Sequence, residues 1–188
     1  MIGVRLINIH FKTNSKTVRC KVIMRDQASP HNDTQNPLDS VEDVLCDNNW
    51  VYSRMNNQEL IVEVAGTACE YRLLFVWQEH LNALQLCCQY NINIKPENMG
   101  IAATALMDMN AKLWMGHFEI TKDSLSPSFR QTCLIHGHQQ RRNYIEDLVD
   151  ISLVQCERYQ AVFQLLSHDK AVNADILSLA MMETLGES

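Results

Sequence analysis

The side chains best suited to bind a metal ion lie close together in one stretch. Cys133, His136 and His138 fall within six residues, and His117 precedes them on a segment predicted to pair with theirs. Zinc is usually held by four thiolate or imidazole ligands, or by three and a water. In a strand, however, the two histidines would point to one face and Cys133 to the other. We favour a core thiol and turn histidines; a metal- or thiol-dependent regulator or enzyme using this region is the alternative hypothesis.

No other arrangement in the sequence points to catalysis. The chain has no GxSxG elbow, no HExxH and no glycine-rich phosphate loop. Its seven cysteines include no CxxC, and the adjacent Cys87 and Cys88 would face opposite sides of a strand. Most cysteines stand in apolar runs, which is typical of reduced core thiols in a reducing compartment. We therefore expect a non-enzymatic protein without a cofactor or a bound metal.

Charge is distributed unevenly along the 188 residues. Residues 1–35 contain six basic and two acidic side chains. Residues 36–188 contain ten basic and twenty acidic side chains, for a net charge of −10. So acidic a body is poorly suited to a phosphate backbone, and we expect no nucleic-acid partner. No apolar run approaches the length of about 18–20 residues that a membrane helix needs. We expect a cytoplasmic protein with no membrane contact.

A domain boundary is predicted near residue 35. Residues 1–35 read as a weakly ordered basic extension with one short alternating stretch, Val4–Phe11. At Asn36-Pro37 the pattern changes, because asparagine caps helices well and proline suits the first helical position. We predict a helix from there to about Asp47, and one domain over residues 36–188.

Alternating apolar residues and short turns predict four consecutive strands with one buried face. Their predicted ranges are Trp50–Met55, Glu59–Ala65, Cys69–Trp77 and Ala83–Tyr90. A helix follows from Pro96 to about Asn110. A hairpin of Lys112–Ile120 and Ser128–Ile135 comes next, with Gly116 suggesting a close backbone approach or a bulge.

Two helices are predicted to end the chain. The first begins near Arg141 and has an apolar stripe with the 3.6-residue period: Ile145, Leu148, Val149, Ser152, Cys156, Tyr159 and Phe163. The second, Ala174–Leu185, has five residues predicted to face inward: Ile176, Leu177, Ala180, Met181 and Leu185.

The strand predicted over Lys112–Ile120 has more large apolar groups than one face can bury. In a strand, Leu113 and Met115 would point away from Trp114 and Phe118. If one of these pairs lies in the core, the other pair needs a second cover, which either the long helix or a second subunit supplies. We predict a homodimer, because an open sheet has edges that must be covered or paired. The predicted partner or dimer surface consists of Leu113, Trp114, Met115, Phe118, Tyr159 and Phe163.

Three stretches together resemble one protein family. They are NPLDSVEDVL (36–45), LWMGHFEI with SFRQTCLIHG (113–120 and 128–137), and EDLVDISLVQCERYQAVFQLL (146–166) with LAMMETLGES (179–188). This sequence is similar to the YbjN-type domain of bacterial sensory-transduction regulators, in its alphaproteobacterial form, from Asn36 to the C-terminus.

The resemblance implies an α+β fold like that of type III secretion chaperones. Such a fold has a twisted antiparallel sheet, helices packed on one side and long C-terminal helices, and it is usually dimeric. It implies no catalytic residues. We therefore expect a protein-binding domain, chaperone-like or regulatory, whose client the sequence does not identify.

Overall fold

The computed structural model describes residues 36–121, 123–135, 141–168 and 172–183. The helices in these ranges are α1 (Pro37–Asp47), α2 (Met99–Asn110), α3 (Arg141–Ser167) and α4 (Ala174–Glu183). The strands are β1 (Tyr52–Arg54), β2 (Glu59–Ala65), β3 (Glu70–Gln78), β4 (Ala83–Tyr90), β5 (His117–Ile120) and β6 (Pro127–Leu134). Short 3-10 turns occupy Glu79–Leu81 and Pro96–Asn98. Residues 1–35 lie outside the described part.

The six strands form one antiparallel sheet in the order β1-β2-β3-β4-β6-β5. The first four strands follow one another as a meander, β6 pairs with β4, and β5 lies at the edge beyond β6. This topology confirms the α+β class, the antiparallel sheet and the predicted four-strand meander.

One face of the sheet, the inner face, is buried under the helices. On β3 this face contains Tyr71, Leu73, Phe75 and Trp77, as the two-residue period predicts. α1 contacts β3, α3 contacts β4 and β6, and α2 contacts β5. The predicted stripe on α3 is confirmed, because all seven of its members are buried.

Hydrogen bonds from two strands and from two connecting turns hold α3 at several points along its length. A long apolar helix can slide or rotate on a flat apolar face, whereas buried polar groups must meet specific partners. The donor and acceptor pairs are Gln131 Nε2 to Ser152 Oγ (2.8 Å), Tyr90 Oη to Cys156 O (2.7 Å), Thr67 N to Glu157 Oε1 (3.0 Å) and Asn98 Nδ2 to Leu166 O (3.0 Å). No helix in the described ranges is long and apolar enough to cross a bilayer.

The first strand of the predicted hairpin is shorter than expected. β5 starts at His117, not at Lys112, because the backbone N–H groups of Lys112 and Leu113 donate to the last turn of α2. Gly116 then takes a φ of +68°, a conformation that favours glycine. The prediction that Trp114 shares a strand face with Phe118 is therefore wrong.

Gly116 also confirms the predicted close backbone approach. A Cβ at this position would lie 2.4 Å from Cζ of Phe129 and 2.9 Å from the carbonyl oxygen of Arg130. Only glycine fits between the loop and β6, so the chain enters β5 at one defined place.

Smaller differences occur at the ends of other elements. β1 covers only Tyr52–Arg54 of the predicted Trp50–Met55. On α4, Leu177, Ala180 and Met181 are buried as predicted, but Ile176 is 52% exposed. The prediction for Ile176 is wrong because α3 covers only one narrow side of this short helix. Leu185 lies outside the described residues.

We predict that residues 36–188 fold without residues 1–35. The start of α1 is capped within this part of the chain, since Asn36 Oδ1 accepts the N–H of Leu38 at 3.0 Å. The truncated protein should remain soluble and unfold in one cooperative thermal transition. Insolubility or a broad transition would show that the removed residues are structural.

Replacement of the capping residue Asn36 gives a stability loss with which the effect of the truncation can be compared. In the truncated chain, Asn36→Ala should lower the unfolding free energy by about 1 kcal/mol. For a domain of this size that loss is roughly 2–4 °C in melting temperature. A truncation that costs more than this single substitution would contradict the predicted boundary.

Candidate functional site

The edge of the sheet at β5 is closed by one side chain from α2. The carboxamide of Asn110 accepts the N–H of Phe118 at 2.7 Å and donates to its C=O at 3.0 Å. Phe118 lies opposite Phe129 in the antiparallel register, and because its backbone groups both bond to Asn110, it belongs to a non-hydrogen-bonded pair whose backbone groups point away from β6. Asn110 therefore makes the two hydrogen bonds that a further strand would make.

This contact has two consequences for the site. It removes a donor and an acceptor from the exposed edge, which is one way in which proteins prevent edge-to-edge pairing. It also ties the end of α2 to β5, so the six residues between them start and end at fixed points.

The side chain of Phe118 belongs to the core. Its ring packs at 5.0 Å from that of Phe129, 5.3 Å from Tyr159 and 5.4 Å from Phe163, measured between centroids. Phe118, Tyr159 and Phe163 are all buried in this chain. Their assignment to a partner surface is therefore wrong, because β5 directs Phe118 inward onto the aromatic residues of α3.

The other half of the predicted surface is exposed. Trp114 is 74% exposed and Met115 is 40% exposed, while Leu113 is half-buried and packs against the core. Met107, on the last turns of α2, is 73% exposed and was not predicted. We call Met107, Leu113, Trp114 and Met115 the α2–β5 surface. It is an apolar surface on a connection that is fixed at both ends.

Sequence reasoning missed Asn110, although it placed the end of the helix there. An asparagine at a helix end is an ordinary stop signal. Its partner lies eight residues away on a strand, and no periodic pattern marks such a pair. The signal that could have found it is the glycine at 116, which requires a sharp entry into β5.

The proposed metal ligands do not come together in the described part of the chain. Cys133 lies opposite Leu84 on the inner face, whereas His117 lies opposite Arg130 on the other face. The suggestion that His117 joins Cys133 is therefore wrong. His136 and His138 lie outside the described residues, and the rest contain no group of three or more potential metal-binding side chains.

The cysteines that the structure describes are free thiols. Cys88 is buried on the inner face and Cys87 is half-buried on the other, which confirms that they face opposite ways. Burial raises the pKa of the thiols of Cys87, Cys88 and Cys133. Because the thiolate is the nucleophile and the metal ligand, these thiols are poorly reactive at neutral pH.

A polar cleft of about 440 Å³ opens at one end of the sheet, where β3 begins and β4 ends. Its guanidinium, Arg72, is 3.1 Å from the carboxylate of Glu63, and both side chains are exposed. Because Glu70 also lines the cleft, one guanidinium stands against two carboxylates, and the cleft has a net negative charge.

Comparison with known proteins identifies related sequences and folds. Residues 37–165 match the YbjN family, described as "Putative bacterial sensory transduction regulator". The crystal structure of YbjN, "a putative transcription regulator from E. coli", is similar, with a TM-score of 0.44 and 12% sequence identity. The similarity covers 65% of this chain and 93% of that chain. No curated protein matches the sequence.

We predict that Asn110→Ala destabilises the fold by about 1–3 kcal/mol, because it leaves the N–H and C=O of Phe118 without partners. Asn110→Asp should cost at least as much, since a carboxylate cannot donate to the carbonyl. Thr104→Ala, an exposed substitution on α2, is the matched control. Urea denaturation measures all three free energies. Equal stability of Asn110→Ala and the control would show that the edge is not held by this contact.

Proposed function

Because the chain belongs to the YbjN family, we propose that it is a regulatory domain that binds other proteins and catalyses no reaction. The binding surface in this proposal is the α2–β5 surface. The family description supports the regulatory role, and the exposed apolar residues support the protein-binding role.

The observation that carries the proposal is the exposure of Trp114 and Met115, which are adjacent in the chain, and of Met107 on the preceding helix. Contiguous large apolar groups on a surface are typical of interaction sites. Tryptophan is enriched among the residues that contribute most to binding energy, and methionine adapts to differently shaped partners. Full burial of each methionine would contribute about 1.5–3 kcal/mol.

The connection that presents this surface is held at both ends. Asn110 holds the end of α2, and Gly116 fits tightly against Phe129 and Arg130. A partner would therefore meet a connection whose ends are already positioned. Binding to a pre-organised surface loses less conformational entropy than binding to a loose one.

We also propose that the protein is a cytoplasmic homodimer that associates through this surface. A two-fold dimer uses the same patch on both subunits, so Trp114 and Met115 of each copy would cover those of the other. The free thiols support a reducing compartment. A chaperone-like role toward a client protein would use the same apolar residues in the monomer.

Met115→Lys tests the dimer without disturbing the core. Met115 is 40% exposed and lies outside the strands, so the substitution buries no unpaired charge. We expect a folded monomer of 21.6 kDa by light scattering, against twice that mass for the unmodified protein. Val154→Lys is the control, because Val154 is 41% exposed, like Met115, but belongs to α3 and not to the α2–β5 surface; this variant should remain a dimer.

The result also separates self-association from client binding. If the unmodified protein has the mass of one chain at tens of micromolar, the homodimer is rejected. Client binding is then tested by capture from a bacterial lysate with the unmodified protein and with Met115→Lys. Equal capture of the same proteins by both would contradict the role of the α2–β5 surface.

A further inference from the structure

The sheet has a second face, the outer face, which points away from the helices. A row of residues in register crosses it from β1 to β5. Apolar side chains occupy the middle of this row, and Val76 lies beside them on β3. We call Ile61, Leu74, Val76 and Cys87 the outer strip.

The outer strip is half-buried but does not belong to the core. The helices that contact the sheet within the described ranges pack on the inner face. The strip is therefore an apolar patch without a cover in the described part of the chain, and its position opposite the core leaves it open to another segment.

Carboxylates border this strip. Glu59, Glu63 and Glu70 are exposed on β2 and β3. Arg72 pairs with Glu63, and Arg130 pairs with Glu119. Four glutamates against two arginines leave this face with a net negative charge, so it favours a ligand with both apolar and basic side chains.

The chain itself contains such a segment. Residues 1–35 contain six basic and two acidic residues. Their alternating stretch Val4–Phe11 combines valine, leucine, isoleucine and phenylalanine with Arg5, and Lys12 follows directly. We propose that residues 1–35 dock on the outer strip of the same chain, with apolar residues of Val4–Phe11 on the strip and basic residues against Glu59, Glu63 and Glu70.

The point where this segment joins the domain supports docking within one chain. Asn36 Nδ2 donates to the carbonyl oxygen of Asn57 at 2.6 Å, in the turn between β1 and β2. Asn57 precedes Ile61 by four residues, about 13 Å along a strand. The twenty-four residues between Phe11 and Asn36 can span up to about 80 Å when fully extended. The connection is thus long enough for the stretch to reach the strip, and linkage within one chain raises its local concentration there.

Carbodiimide cross-linking of the full chain tests this arrangement, because it joins lysine to carboxylate only at contact distance. We expect cross-links from Lys12 or Lys16 to Glu59, Glu63 or Glu70, identified by mass spectrometry. An equal mixture of unlabelled and heavy-nitrogen protein shows whether each cross-link joins one chain or two. Links within one chain support the proposal. Links found only between chains of different isotope content would mean that a second copy supplies the segment, and this result would overturn the proposal. The absence of any such cross-link would also overturn it.

Alkylation of Cys87 gives an independent measurement. The double variant Arg5→Glu with Lys12→Glu reverses charge in the segment and leaves every residue of residues 36–188 unchanged. Docking predicts a several-fold faster reaction of Cys87 in this variant, measured by peptide mapping. Cys46, an exposed thiol on α1, is the internal control and should react at an unchanged rate. An unchanged Cys87 rate would overturn the proposal.

A change in the strip completes the test. Leu74→Lys places a positive charge where the basic segment would dock and should abolish the cross-links. Thr132→Lys, on the same face but toward the end of β6, should keep them. If Leu74→Lys does not fold, the segment variant decides the question, since its substitutions lie outside the sheet. Cross-links that persist in folded Leu74→Lys would overturn the assignment of the strip.

Discussion

The structure depends on the burial of one 27-residue helix, α3, against the inner face of the sheet. Its apolar stripe packs against the aromatic side chains of β4 and β5. Polar bonds at Ser152, Cys156, Glu157 and Leu166 fix its position along the sheet. Hydrophobic burial supplies most of the stability of such a contact, whereas the hydrogen bonds select one register from several of similar apolar area.

The helices that cover the inner face of the sheet determine which apolar residues remain accessible for binding. Phe118, Tyr159 and Phe163 are used within the core. The apolar residues left outside the core include two groups, the α2–β5 surface at one edge and the outer strip on the opposite face. They differ in chemistry, because the first has exposed aromatic and thioether groups and the second is bordered by carboxylates. The two proposals are therefore compatible, because a partner at the edge and the basic segment on the strip would occupy different surfaces.

Asn110 connects the core to the α2–β5 surface. Its carboxamide closes the edge at Phe118, whose ring lies among the aromatic residues of α3. The same bond that protects the edge from pairing with another strand therefore positions Trp114 and Met115. The apolar side chains thus stand on a connection held at both ends, and addition of a strand at β5 would first require Asn110 to release Phe118.

The sequence by itself determined the features that have a local period or a local signal. The alternation in β2 to β4, the stripe on α3 and the cap at Asn36 were all predicted, because each depends on residues close together in the chain. Only the tertiary structure decided that β5 begins at His117, that Cys133 and His117 lie on opposite faces, and that Trp114 is exposed while Phe118 is buried. These outcomes depend on contacts between separate elements, such as Asn110 with Phe118 and Gly116 with Phe129. A side chain that bonds to the backbone of another element leaves no periodic trace in the sequence.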